Sequence, residues 1–164
     1  MSMYSAGEFE AKAKKEIRKN GGLPRGSVLF IEEDGTFRTF ALRIFFSSLL
    51  IKRTDVVFSP KADGARKVSG ETLDDVSCGL LENVFCGTVP EHIAQAKTCL
   101  CPFAAIPVDE VLAYAKQFGW AGEVSACESQ VRGFLSRFAK DHPATPFALK
   151  NIRDSLITMD LKHD

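Results

Sequence analysis

The chain lacks an excess of charge, a long apolar run, paired cysteines and clustered histidines, and each absence closes off a class of function. Acidic and basic residues balance at 21 each in 164 residues. No overall basic field exists to hold nucleic acid, so any contact with RNA must be local or come through a partner. The longest apolar stretch, Phe40 to Ile51, is broken by Arg43 and two serines and is too short and too polar to span a membrane. His92, His142 and His163 are dispersed, with no carboxylate or cysteine at useful spacing, which leaves histidine catalysis without support. The five cysteines are an odd number with no leader ahead of them, and they read as reduced thiols of a cytoplasmic chain. Cys99-Leu100-Cys101 has one residue between thiols where zinc sites use two to four, and no second pair follows, so no metal site is assigned. Cys78 and Cys86 fall inside a helical pattern as buried or half-buried fillers. There is no internal repeat and no low-complexity tract.

What is present is enough apolar content, 45%, to build a core. The sequence is organised around Lys67 to Gly87. Val68 is a short strand, Ser69-Gly70-Glu71 a turn, and Thr72 with Asp75 three residues on is an N-cap with its capping-box partner. Leu73, Val76, Leu80, Leu81, Val84 and Phe85 recur at three and four residues and predict one buried stripe, ended by Gly87. Asp74 and Asp75 sit in the first turn, where the helix dipole favours carboxylates. A second reading makes the same strand, turn and helix start the wall of a nucleotide pocket.

Upstream, Phe9, Ala13 and Ile17 stripe a helix from Gly7 to Lys19, with Gly21-Gly22 as its stop and a basic outer face expected to be solvated. Val28 to Ile31 is a continuous apolar run, as in a parallel strand covered on both faces. A long apolar helix follows from Phe37 to about Ile51, and Asp55 to Phe58 is a candidate second strand. The loop between strand and helix, Glu32-Glu33-Asp34-Gly35-Thr36, stands where a doubly wound fold places a phosphate cradle, yet it presents three carboxylates. Like charges repel, and Gly35 alone makes no cradle.

Downstream, Pro90 to Thr98 is a short helix or loop, and Pro107 reads as the first residue of a helix closed by Gly119, with Val111, Leu112, Ala115 and Phe118 inward. Trp120 is a packing anchor. Glu128 to Lys140 is a helix burying Val131, Phe134, Leu135 and Phe138, with Arg132, Arg137 and Lys140 outside. Thr145-Pro146 opens a last helix with Leu149, Ile152 and Leu156 inward, and the residues from Met159 are a loose tail.

In order, a basic helix, Val-Leu-Phe-Ile, a loop and helix, Gly70-Glu71-Thr72-Leu73-Asp74-Asp75, a Pro107-Val108-Asp109-Glu110 helix and the ending Phe134 to Phe147 resemble the PP-loop ATPases of tRNA thiolation. Within them the chain is most similar to the non-catalytic second subunit of the cytosolic tRNA thiouridylases, over roughly Glu8 to Leu156. The resemblance implies an α/β fold of three layers: a mostly parallel sheet with helices on both faces, followed by a helical C-terminal part. It implies one domain over residues 1–158, with a basic helix (1–22), a shortened PP-loop core (26–100), the helical part (101–158) and a tail (159–164).

Departures set the expected function. The family's Ser-Gly-Gly-x-Asp-Ser phosphate loop is replaced by Glu32 to Thr36, and no Cys-x-x-Cys pair lies between Ile51 and Val68. Cys127 lies near the place of the family's later cysteine with unlike neighbours, and the arginine of Pro-Leu-Arg is missing from Pro102-Phe103-Ala104. The expectation is an accessory subunit with no catalytic residue, partnered by a catalytic thiouridylase paralogue and in contact with tRNA. Gly35, Ser69, Gly70, Asp74 and Asp75 are what is left of a pocket for ATP and Mg²⁺. The alternative is a small Mg²⁺-dependent, ATP-binding hydrolase or transferase in which Glu32, Glu33 and Asp34 face Asp74 and Asp75 across the metal.

Overall fold

The computed structural model describes residues 5–125 and 129–160. Its elements run as α1 (Ala6–Lys19), β1 (Val28–Ile31), α2 (Phe37–Leu50), β2 (Val57–Phe58), β3 (Arg66–Val68), α3 (Leu73–Cys86), α4 (Val89–Thr98), β4 (Cys99–Leu100), α5 (Val108–Gln117), α6 (Gln130–Asp141) and α7 (Thr145–Asp160). The strands form one parallel sheet in the order β2-β1-β3-β4. Ile31 is opposite Val68, and Val68 opposite Leu100. With side chains alternating along each strand, this register puts Leu29, Ile31, Val68 and Leu100 on one face. There they meet Phe9, Ala13 and Ile17 of α1, Phe37, Ala41, Leu42, Phe45 and Phe46 of α2, and Val111, Tyr114 and Ala115 of α5 in the main core. Phe9 stacks on Tyr114 with ring centres 4.0 Å apart, and Trp120 packs edge-on against Phe37 at 5.7 Å.

The other face carries Val28, Phe30, Lys67 and Cys99. Here α4 and α7 lie against the β3–β4 half, while Val28 is exposed and Phe30 only half-buried. The run Val28 to Ile31 is therefore fully covered on one face, against the expectation of two. The α/β architecture, with a parallel sheet flanked by helices, is as expected. No helix among the described residues is long and apolar enough to cross a membrane.

Several local expectations are corrected. Val84 and Phe85, placed on the inner stripe of α3, are exposed, as is Cys86 beside them; all three lie in the last turn of the helix, which Gly87 ends in the left-handed conformation, φ 70°. Of the two readings of Pro90 to Thr98 the helix holds, and His92 stands on it. On α6 only Leu135 is fully buried. Phe134 and Phe138 stay largely exposed and stack on each other at 5.6 Å, and Phe138 also stacks on His142. Ser129 is the N-cap of α6, and the earlier start expected at Glu128 lies, with Cys127, outside the described residues.

The last helix is turned. Lys150 and Arg153 are its buried residues, Leu149 and Leu156 are half-buried, and Ile152 is exposed. The reason is electrostatic. Glu16 of α1, also buried, meets the Lys150 ammonium at 2.7 Å, and Asp154 accepts from both Lys150 and Lys19 at 2.6 Å. Burial alone would push the Asp154 carboxyl up, but the bonds from Lys150 and Lys19 hold it below its ordinary value. Part of the basic face of α1, expected to be solvated, thus fastens the N-terminal helix to the C-terminal one, and Lys12 ties it to Glu110 of α5 at 2.7 Å. The helix also continues through Met159 and Asp160, where a tail was expected.

Candidate functional site

After β1 the chain turns toward β2, and after β3 toward β4. The two loops part at the carboxyl ends of adjacent strands and leave a crevice, the usual place for a ligand in an open α/β sheet. A cavity of about 530 Å³ occupies it, walled by Glu32, Glu33 and Asp34 after β1, by Ser69, Gly70 and Glu71 after β3, and by α2 and α3. Ser129, the N-cap of α6, and Arg132 in its first turn close its far side.

Asp75 organises this cleft. As the third residue of α3 its carboxylate accepts from the backbone N–H and hydroxyl of Thr72, at 2.9 and 2.8 Å, completing the capping box. From α2, Arg38 reaches it in a two-pronged bond, Nε to Oδ2 at 2.9 Å and Nη2 to Oδ1 at 3.0 Å, and from α6 the Arg132 Nη2 meets Oδ1 at 2.6 Å. Burial works to raise the Asp75 carboxyl, yet the Thr72 N–H and the two guanidinium groups outweigh it and hold it below its ordinary value. Gly70 permits the approach. A Cβ there would lie 2.8 Å from Cβ of Arg38, so any side chain would push α2 off the loop.

The acids of the β1–α2 loop are likewise engaged. Asp34 accepts from the Thr36 N–H at 2.9 Å and its hydroxyl at 2.8 Å, and from the Thr39 hydroxyl. Against the upward push of burial, the Thr39 and Thr36 bonds hold its carboxyl below its ordinary value. Glu33 pairs with Arg43, and Glu32 with Lys67 at 2.9 Å. Cys78 faces the cleft from α3, its Sγ 3.4 Å from Glu82 and 3.5 Å from Ser129, and burial pushes the thiol up, so it stays protonated near neutral pH.

Of the five residues expected at a pocket, Ser69, Gly70 and Asp75 line the cleft together. Gly35 does not line it and serves the turn before α2, at φ 70°. Asp74 points elsewhere. Its Oδ2 accepts from the Val108 N–H at 2.7 Å, at the start of α5, where Pro107 is the N-cap and has no side-chain acceptor to offer. It lines a separate 170 Å³ cavity beside Ser77 and Leu135. Arg38, Lys67 and Arg132 are the functional groups the sequence reading did not bring to the cleft. Arg132 was placed outside, and its inward turn is a correction: it sits three residues after the Ser129 cap, on the side facing α3.

These residues decide what the cleft can accept. Six acidic side chains line it against three basic ones, and the basic ones are already paired. A triphosphate entering here meets carboxylates where backbone N–H groups should close on it, and the residues do not fit ATP. The acids do not make a magnesium site with Asp74 and Asp75 either, since one is turned away and the other is neutralised by two arginines. Among the described residues no group of three or more His, Cys, Asp or Glu side chains converges to hold a metal. Cys78, Cys86, Cys99 and Cys101 are thus not a donor set for a metal cluster.

Among solved structures, the chain is similar to the U34-tRNA thiolase NcsA from Methanococcus maripaludis with its [4Fe-4S] cluster. The TM-score is 0.69 at 16% identity, over 94% of this chain and 82% of that one. No protein-family profile matches the chain, and no curated protein does. At this identity the likeness establishes a shared α/β fold, with a parallel sheet flanked by helices.

Proposed function

We propose that the chain is a non-catalytic accessory subunit of tRNA wobble-uridine 2-thiolation, which pairs with a catalytic thiouridylase paralogue and helps to present the tRNA. The observation that carries this reading is the content of the cleft. In a fold similar to that of a U34-tRNA thiolase, acids stand in the place of a phosphate loop, and Asp75 with Arg38 and Arg132 fills the back of the crevice. Such a cleft keeps the body of the fold and gives up the nucleotide. The exposed aromatic and aliphatic side chains of the C-terminal helices, Phe134 and Phe138 of α6 with Phe147 and Ile152 of α7, support the part of the reading that calls for a partner.

The test has two arms. Thermal melting of the purified chain with Mg²⁺ and ATP is expected to show no shift, because only a ligand that binds the folded state stabilises it. Co-expression with a catalytic thiouridylase subunit is expected to yield a complex in size-exclusion chromatography with light scattering, and that complex is expected to thiolate tRNA faster than the catalytic subunit alone. A magnesium-dependent rise of several degrees in the melting temperature, or failure to form the complex, would overturn the proposal.

A further inference from the structure

On the other side of the Ser69-Gly70-Glu71 turn lies a second cavity, of about 290 Å³, between α4, α7 and the β3–β4 strands. Lys67, His92, Gln95, Thr98 and Arg153 reach it, with one carboxylate, Glu71. Arg153 is the unusual member. It is 5% exposed, its Nε is buried without a hydrogen-bond partner, and among the described residues it has no hydrogen bond or ion pair. The other buried charged groups are all matched: Glu16 and Lys150 by each other, and Glu110 by Lys12. The His92 Nε2 is buried and unpartnered in the same cavity.

A buried guanidinium cannot escape its charge. Arginine stays protonated where a lysine or histidine would turn neutral, and an uncompensated buried cation costs several kcal/mol. No carboxylate of the described residues is bonded to Arg153, Glu71 on the cavity wall included, so the cavity is open to an anion from outside the chain. Its fork of N–H donors fits an oxyanion in two-pronged geometry, and Lys67, paired with Glu32 at 2.9 Å on the exposed rim, exchanges that weak surface pair for an anion bound in the cavity. His92 supports this. Burial, and then the charge of Arg153, pushes its ring below its ordinary value, so at neutral pH it is uncharged and offers an N–H without competing for the anion.

We propose that this cavity binds a phosphate group, gripped by Arg153 with His92 and Lys67. The inference does not rest on the accessory-subunit reading, and it concerns a different cavity from the cleft at Asp75. The phosphate can belong to a small molecule or to an RNA backbone, and the experiment separates them.

The test uses the full chain, titrated with inorganic phosphate and, separately, with a short single-stranded RNA and with tRNA, at constant ionic strength with chloride as control. Phosphate is expected to raise the melting temperature saturably and to shift the Arg153 Nε–H resonance in nitrogen-15 NMR, a readout that needs no variant. Arg153→Met is expected to abolish the phosphate response, and Lys67→Met, on the exposed rim, to weaken phosphate binding by about tenfold, as for a lost charge-assisted bond. RNA that displaces phosphate assigns the site to a backbone phosphodiester, and phosphate binding without RNA binding assigns it to a small phosphate. An Arg153 resonance that phosphate does not move, or a melting shift of equal size in wild type and Arg153→Met, overturns the proposal.

Discussion

On one side of the Ser69 to Glu71 turn two arginines converge on a carboxylate built into the fold, and on the other a more deeply buried arginine has none. Arg38 and Arg132 are about a quarter exposed and share Asp75. Arg153 is almost fully enclosed and has no anion of its own among the described residues. Asp75 is fixed by the capping box, so its position follows from the geometry of a helix start and the two guanidinium groups meet a preset target. Arg153 is fixed by α7, whose neighbouring buried cation, Lys150, takes up the carboxylates of Glu16 and Asp154. The first arrangement uses charge to hold α2, α3 and α6 together around a cleft that needs no ligand. The second leaves charge for a ligand to complete.

The largest effect is expected from breaking the first site. Asp75→Ala takes its carboxylate from Arg38 and Arg132 and removes the partner of Thr72. Because both guanidinium groups keep some contact with water, the loss is expected near the low end for a broken buried pair, about 3 kcal/mol, read as a lower urea midpoint. Arg153→Met is expected to act in the opposite direction without ligand, raising stability by about 1–2 kcal/mol and with it the urea midpoint, because an unmatched charge gives way to an apolar chain of similar length. A loss in both variants would mean that Arg153 is structurally matched and that the contrast between the sites is false.

Titration sharpens the same comparison. The Asp75 carboxyl is held below its ordinary value in the folded chain, so the unfolded chain binds the proton first on acidification. The stability it contributes is complete above the ordinary carboxylate value, about pH 4, and is lost as the pH falls through the lower folded value. Asp75→Asn is expected to flatten the fall in stability below about pH 4, measured by denaturant midpoints at successive pH values, relative to wild type. Arg153→Met, with no titrating group in that range, is expected to leave that slope unchanged.

What could be read from the sequence follows the range of the interactions. β1, α2, the Thr72–Asp75 capping box and the stop at Gly87 all rest on contacts or backbone preferences within a few residues, and they stand where expected. The inner face of α7 was misread because apolar periodicity scores only apolar burial, and Lys150 is buried by Glu16, which lies in the first helix. Arg132 was placed outside for the same reason: its partner Asp75 is 57 residues away, and nothing local announces it. Ser69 and Gly70 were found because a turn signal between strand and helix is local. The close approach of Arg38 that makes Gly70 necessary was not.

Asp74 and Asp75 are adjacent and chemically alike, yet the structure gives them separate work, and the smallest predicted effect distinguishes them. Asp74 satisfies the first free N–H of α5 from outside the helix, at a start where Pro107 supplies no side-chain acceptor. Asp74→Ala is expected to lose about 1 kcal/mol, the value of an ordinary N-cap, and Asp74→Asn less, since the amide oxygen still accepts while the charge that favours a helix N-terminus is gone. Neither change touches the lining of the cleft at Asp75, so neither is expected to alter any response of the chain to Mg²⁺ and ATP. An ATP hydrolysis abolished by Asp74→Asn would show that the carboxylate leaves α5 to act at a metal. The accessory-subunit reading would fail with it, while the phosphate site at Arg153, on the other side of the turn, would be unaffected.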